Sequence, residues 1–123
     1  MNQVSIERYF DLAKRLSKKS THHQQMLGCV IVNHGRVVGV GYNQIKSHPK
    51  SSHKYKRIHA EFHALLGVAP ADLDGSTVFV YRETKCGNKG LAKPCPSCHK
   101  MLLDAGVETV IYTTIEGWES YSN

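Results

Sequence analysis

Cys95 and Cys98 stand three residues apart in Pro94-Cys95-Pro96-Ser97-Cys98, where an apolar run opens that reads as a helix over Pro96 to Ala105. Nothing else in the chain constrains it as strongly. Pro96 suits a first-turn position, where a missing N–H costs nothing, and Gly106 marks the stop. Side chains three apart in a first turn share one face. The partial positive charge of a helix N-terminus favours thiolates over thiols. The N-terminal residues Met1 to Arg8 hold no signal-peptide apolar core. In a reducing compartment, C-x-x-C spacing reads as metal or redox chemistry before it reads as a bridge. Of the other cysteines, Cys29 reads as a small buried hydrophobe and Cys86 as a thiol in a loop.

A second motif, His59-Ala60-Glu61, opens a short Ala/Leu-rich segment that suits a helix over His59 to Val68. If the two helix starts face each other, two thiolates and one imidazole make three donors. Tetrahedral zinc wants four, and a catalytic site leaves the fourth position to water. The expectation is one catalytic Zn2+ per chain, held by His59, Cys95 and Cys98. Two thiolates cancel the ion's charge, so such a site acidifies water less than an all-histidine site. A nearby carboxylate, here Glu61, can take the proton and return it to a ring nitrogen and the leaving amine. These are parts for hydrolytic deamination of an amidine-like carbon. Two other readings compete. His63, four residues after His59, could close a structural Cys2His2 cage, and a redox C-x-x-C is the other option; the first leaves Glu61 without a purpose, the second leaves the whole His59-Ala60-Glu61 motif unexplained.

The rest of the chain supplies a frame. Its 123 residues suffice for one domain, read as 1–123. Ile6, Tyr9, Phe10, Ala13 and Leu16 give a helix over 5–18, and Ser17 to Gln25 reads as loop. Cys29 to Asn33 and Arg36 to Tyr42 are β-branched runs around a His34-Gly35 turn, and Gly39 and Gly41 suggest a bulge or a close backbone approach. Asn43 to Ile58 and Arg82 to Lys93 read as long loops. Strands are expected at Thr77 to Tyr81, Val107 to Thr113 and Trp118 to Tyr121. Helices between the later strands argue for an α/β layered domain with a mixed sheet. No apolar stretch spans a membrane, so the expectation is a soluble, cytoplasmic protein with no membrane partner.

The pair H-x-E and P-C-x-x-C, with Gly28-Cys29-Val30-Ile31-Val32 running on to Gly41-Tyr42-Asn43, resembles the zinc-dependent nucleoside and nucleotide deaminases, the cytidine/deoxycytidylate deaminase family. The likeness covers about residues 3 to 114. It implies a cytidine-deaminase-like three-layer α/β fold, with a central mixed sheet of four to five strands and three helices. It implies that His59, Cys95 and Cys98 hold zinc, that Glu61 shuttles protons and that Asn43 helps bind the sugar. The backbone around Cys29 and Ala60 would line the base pocket, with Pro94 beside it. A homo-oligomer is also implied. Lys93 departs from the family's nucleic-acid members, which carry Glu or Ser there, and Cys29 stands where Ala is common.

Charge narrows the substrate. The formal net charge is +6, and Lys46, Lys50, Lys54, Lys56 and Arg57 crowd one loop. Arg57 stands two residues before His59, and Lys93 touches the other ligand motif. A neutral nucleoside needs neither, a 5′-phosphate uses one or two, and a polynucleotide many. The expected activity is deamination of a cytosine base in a small nucleotide, dCMP to dUMP with release of ammonia. The nucleoside, another base ring, and a base in tRNA or single-stranded DNA are the alternatives. The nucleic-acid reading is the weaker, because only Tyr55 interleaves the basic loop with an aromatic ring.

Overall fold

A computed structural model of the chain describes residues 3–20, 25–45, 57–84 and 86–122, with backbone alone at Gln25, Ile45, Arg57 and Ile58. The elements are α1 (Gln3–Ser17), β1 (Gln25–Asn33), β2 (Arg36–Tyr42), β3 (Gln44–Ile45), β4 (Arg57–Ile58), α2 (Ala60–Leu65), α3 (Pro70–Leu73), β5 (Thr77–Thr84), β6 (Lys89–Gly90), α4 (Pro96–Asp104), β7 (Thr109–Thr113) and β8 (Trp118–Ser122). The main sheet runs β2-β1-β5-β7-β8, with β6 paired to β5 off that path, and β3 pairs β4 separately. Among the described residues, β5 and β7 are the parallel neighbours of this mixed sheet, and its other pairs are antiparallel.

Alternation along β1 feeds two cores. Val30 and Val32 pack with Ile6, Phe10, Ala13 and Leu16 of α1, together with Phe79, Tyr81 and Ile111. Cys29 and Ile31 face the other way, into a core with Ala60, Ala64, Leu73 and Leu102 from the remaining helices. The result is three layers. Glycines let both faces close tightly. A Cβ on Gly28 would stand 1.9 Å from the Ala13 carbonyl oxygen of α1. On the opposite face Gly39 and Gly41 lie against the backbone of α2. The register also shifts between Ile31 and Val32, whose partners are Gly39 and Val37, so β2 carries both the bulge and the close approach. His34 and Gly35 turn the hairpin at φ 51° and 74°, the signature of a type I′ turn.

Several elements differ from expectation. β1 begins at Gln25 and β5 runs on to Thr84, because Gln25–Leu27 pair with Arg82–Thr84. Glu83 is buried there and is neutralised by Lys18, just past the end of α1. The long segment after Tyr42 contains the β3–β4 ladder, and the loop before Pro94 contains β6. The short α3 adds a fourth helical segment. Lys46, His48, Lys50, His53, Lys54, Tyr55 and Lys56 lie outside the described residues. Among the described residues, no helix is long and apolar enough to cross a membrane.

Candidate metal centre

The two motifs sit at the caps of α2 and α4. His59 is the N-cap of α2 and Cys95 the N-cap of α4, both with extended backbone. Neither cap side chain bonds back onto its own helix; their donor atoms lie 4.0 Å from each other instead. Pro96 opens α4, where no N–H is needed. Cys98 lies one turn in, buried, while His59 and Cys95 are exposed.

The ligand atoms of His59, Cys95 and Cys98 all lie within 4.8 Å of one another. His59 Nδ1 is 3.2 Å from Cys98 Sγ and 4.0 Å from Cys95 Sγ. Zinc bonds of ordinary length at a tetrahedral angle put N and S about 3.6 Å apart, so the observed separations bracket that of a zinc site. The donor set therefore fits zinc, with one position left for water.

Glu61 lies two residues past His59, in the first turn of α2, and is 5% exposed. Burial pushes its carboxyl above the usual range, against the pull of its own backbone N–H, of His59 and of Cys98. Burial and the Glu61 carboxylate likewise push the Cys98 thiol up, as does Cys95. A coordinated divalent cation inverts that sign, since a ligating thiol is deprotonated. Cys29 is fully buried on β1, and burial, Glu61 and Cys98 hold its thiol protonated. It lies outside the ligand cluster.

The other expected site residues surround these. Ala60, the first residue of α2, is buried, and its carbonyl oxygen faces Gly41. Asn43 directly follows β2; its Oδ1 accepts the Leu27 N–H at 2.9 Å and its N–H donates to the Leu27 carbonyl at 3.2 Å. Pro94 is buried and Lys93 exposed at the entry to α4. Arg57 pairs with Ile45 through the backbone two residues before His59, and its side chain lies outside the described residues.

His63 does not join the cluster. Its Nδ1 accepts the Tyr42 N–H at 3.1 Å, so the Cys2His2 cage has no fourth ligand there. Cys86 is exposed and also apart from the cluster. Tyr121 of β8 lies against α4: its hydroxyl is 2.9 Å from His99 Nδ1, one residue past Cys98. Trp118 instead lines a cleft of about 460 Å3 on the α1 side, with Phe10, Lys14, Tyr81 and Lys89.

Comparison with known proteins converges on the same region. The family model described as "Cytidine and deoxycytidylate deaminase zinc-binding region" matches residues 3–114. The chain is 35% identical over 110 residues to the riboflavin biosynthesis protein RibD of Escherichia coli (strain K12), covering 89% of this chain and 26% of that one. It thus spans about a quarter of the length of that relative. It is 25% identical over 134 residues to the deoxycytidylate deaminase of Mycobacterium phage D29, covering 91% of this chain and 97% of that one. The apo crystal structure of dCMP deaminase from the cyanophage S-TIM5 superposes with a TM-score of 0.64 at 26% identity, covering 93% of this chain and 86% of that one.

Proposed function

Because the chain belongs to the cytidine and deoxycytidylate deaminase family through its zinc-binding region, we propose that it catalyses zinc-dependent hydrolytic deamination of a cytosine base in a small nucleotide, dCMP to dUMP with release of ammonia. One observation carries the reading furthest: a buried carboxylate, Glu61, in the first turn of the helix that His59 caps, beside a two-thiol, one-imidazole cluster.

On this reading His59, Cys95 and Cys98 hold the zinc. Bound there, the ion supplies a Lewis acid that lowers the pKa of water. Glu61 does the proton work. Its burial raises its proton affinity, as a general base working near neutral pH requires. It takes a proton from the attacking water and delivers it to ring N3, then assists the exocyclic amine to leave as ammonia. Water's oxygen stays on C4 as the new carbonyl. Asn43 Oδ1 is bonded to Leu27, so a sugar contact would come from the side-chain NH2 as donor. The base pocket is assigned to Ala60, Pro94 and Cys29, and a 5′-phosphate to Lys93 and to Arg57, which stands two residues before His59 in the sequence.

A second reading has its own support. The match at 35% identity is to RibD, and a further relative is a diaminohydroxyphosphoribosylamino-pyrimidine deaminase of Buchnera aphidicola, 30% identical. Such a substrate is also a phosphorylated aminopyrimidine and would use the same cationic flanks. A cytoplasmic setting goes with either reading, since four free cysteines and a thiolate metal site need reducing conditions. So does a homo-oligomer, for which exposed Leu91, Ile115 and Trp118 offer apolar surface.

The test is a side-by-side assay of zinc-loaded protein on dCMP, deoxycytidine and the diaminohydroxyphosphoribosylamino-pyrimidine, with Glu61→Gln as blank. Fastest turnover of dCMP supports the first reading, and of the phosphoribosylated pyrimidine the second. Equal turnover of dCMP and deoxycytidine removes the phosphate from the argument. No turnover of any of them overturns both readings, and steeply salt-dependent oligonucleotide binding would then point to nucleic acid.

A further inference from the structure

Tyr42 ends β2, an edge strand of the main sheet. At this end of the ladder the bonds to β1 are made by Asn43, through its backbone and its side chain, to Leu27. The Tyr42 N–H turns instead toward α2. A donor on a strand edge needs a partner from outside the sheet.

His63 supplies it. Its Nδ1 accepts from the Tyr42 N–H at 3.1 Å, and the Gln44 amide nitrogen lies 3.1 Å from Nδ1 and 3.5 Å from Nε2. The Tyr42 carbonyl lies 3.2 Å from Nδ1, and an Nδ1 that accepts the Tyr42 N–H is the unprotonated ring nitrogen. The Tyr42 ring meets the imidazole edge to face, with centroids 4.8 Å apart at 88°. Gln44 is buried at 5% exposure and packs its amide against the same imidazole. The residues on both sides of Asn43 are thus fastened to one imidazole.

That imidazole belongs to the helix carrying the reactive carboxylate. His63 lies two residues past Glu61, and its N–H donates to the His59 carbonyl at 3.0 Å. We propose that His63 is a positioning residue, a strut that fixes Asn43 relative to Glu61 and so sets how tightly the substrate's sugar is held. The proposal rests on the sugar-binding role of Asn43 given above.

The test uses the full zinc-loaded chain with His63→Ala, His63→Asn, His63→Gln, Asn43→Ala and the double variant His63→Ala/Asn43→Ala. An Asn Oδ1 stands where Nδ1 stands, whereas a Gln acceptor reaches one bond too far. Two readouts are taken: amide hydrogen exchange at Tyr42 to Gln44, and KM and kcat on the nucleotide turned over fastest in the assay above. Losing one hydrogen bond predicts, in His63→Ala, roughly ten-fold faster Tyr42 exchange and roughly ten-fold higher KM, with kcat little changed. His63→Asn restores both and His63→Gln neither. The double variant is no worse than Asn43→Ala, as expected of groups acting in series.

Unchanged exchange and KM in His63→Ala, while Asn43→Ala raises KM, overturns the strut. So does a His63→Ala loss that adds fully to that of Asn43→Ala, the mark of a merely structural role. Should His63→Ala fail to fold, the contrast between Asn and Gln carries the same decision. An unchanged KM in Asn43→Ala instead overturns the sugar reading, and the exchange data still decide whether the strut exists.

Discussion

A Cβ placed on Gly41 would stand 2.5 Å from the carbonyl oxygen of Ala60, and 2.4 Å from the backbone nitrogen of Ala64. The helix that carries Glu61 therefore rests backbone to backbone on β2. Gly41→Ala must push α2 away from the sheet and with it the carboxylate. The expected cost is about 3 kcal/mol, a fall in Tm of roughly 10 °C for a domain of this size. Activity should fall further than stability does. Thermal melts and zinc-loaded assays below the new Tm check both, and an unshifted Tm would contradict the packing described.

Glu61→Gln keeps the shape of the side chain and removes its proton chemistry. Turnover should fall about a thousand-fold or more. Zinc content and fold should persist, since Glu61 is no member of the three-donor cluster. Metal analysis with circular dichroism separates this from collapse of the site. Substantial turnover by the variant would remove Glu61 from the mechanism.

Zinc binding should appear as stability. A ligand that binds only the folded state adds RT ln(1 + [L]/Kd), so a strong chelator should lower the Tm of the wild type. Cys98→Ala and His59→Ala should contain little zinc and lose that chelator response. Cys86→Ser should keep both, because Cys86 is exposed and outside the cluster. Loss of zinc from Cys86→Ser would reassign the ligands.

Tyr81 offers a pH dependence away from the metal. Burial, then the neighbouring Glu83 carboxylate, push its phenol from 10.0 up to about 12. The unfolded chain ionises first as pH rises, so the native state holds the proton longer. Stability contributed by this group is present below pH 10 and is lost as pH rises toward 12. Alkaline ultraviolet titration of wild type against Tyr81→Phe should show one late-ionising tyrosine missing from the variant.

The sequence by itself determined the donor set and most of the elements. Proline and glycine punctuation, alternation in β1 and the apolar stripe of α1 are local signals, and local physics made them. The grouping of His59, Cys95 and Cys98 was legible because zinc chemistry demands those residue types at those spacings. Long-range pairing decided the rest. Gln25 and Met26 join β1 because Thr84 and Glu83 lie opposite, and buried Glu83 is tolerated because Lys18 reaches it. No window of neighbouring residues contains both partners. His63 makes the same point within the site. Four-residue spacing placed it on the ligand face, but His59 is an extended N-cap at φ −71° and ψ 150°, outside the helix whose periodicity that argument used. Packing of α2 on Gly39 and Gly41 then turned the His63 ring to the strand edge. Spacing could nominate the residues of this centre; only backbone geometry and packing could choose among them.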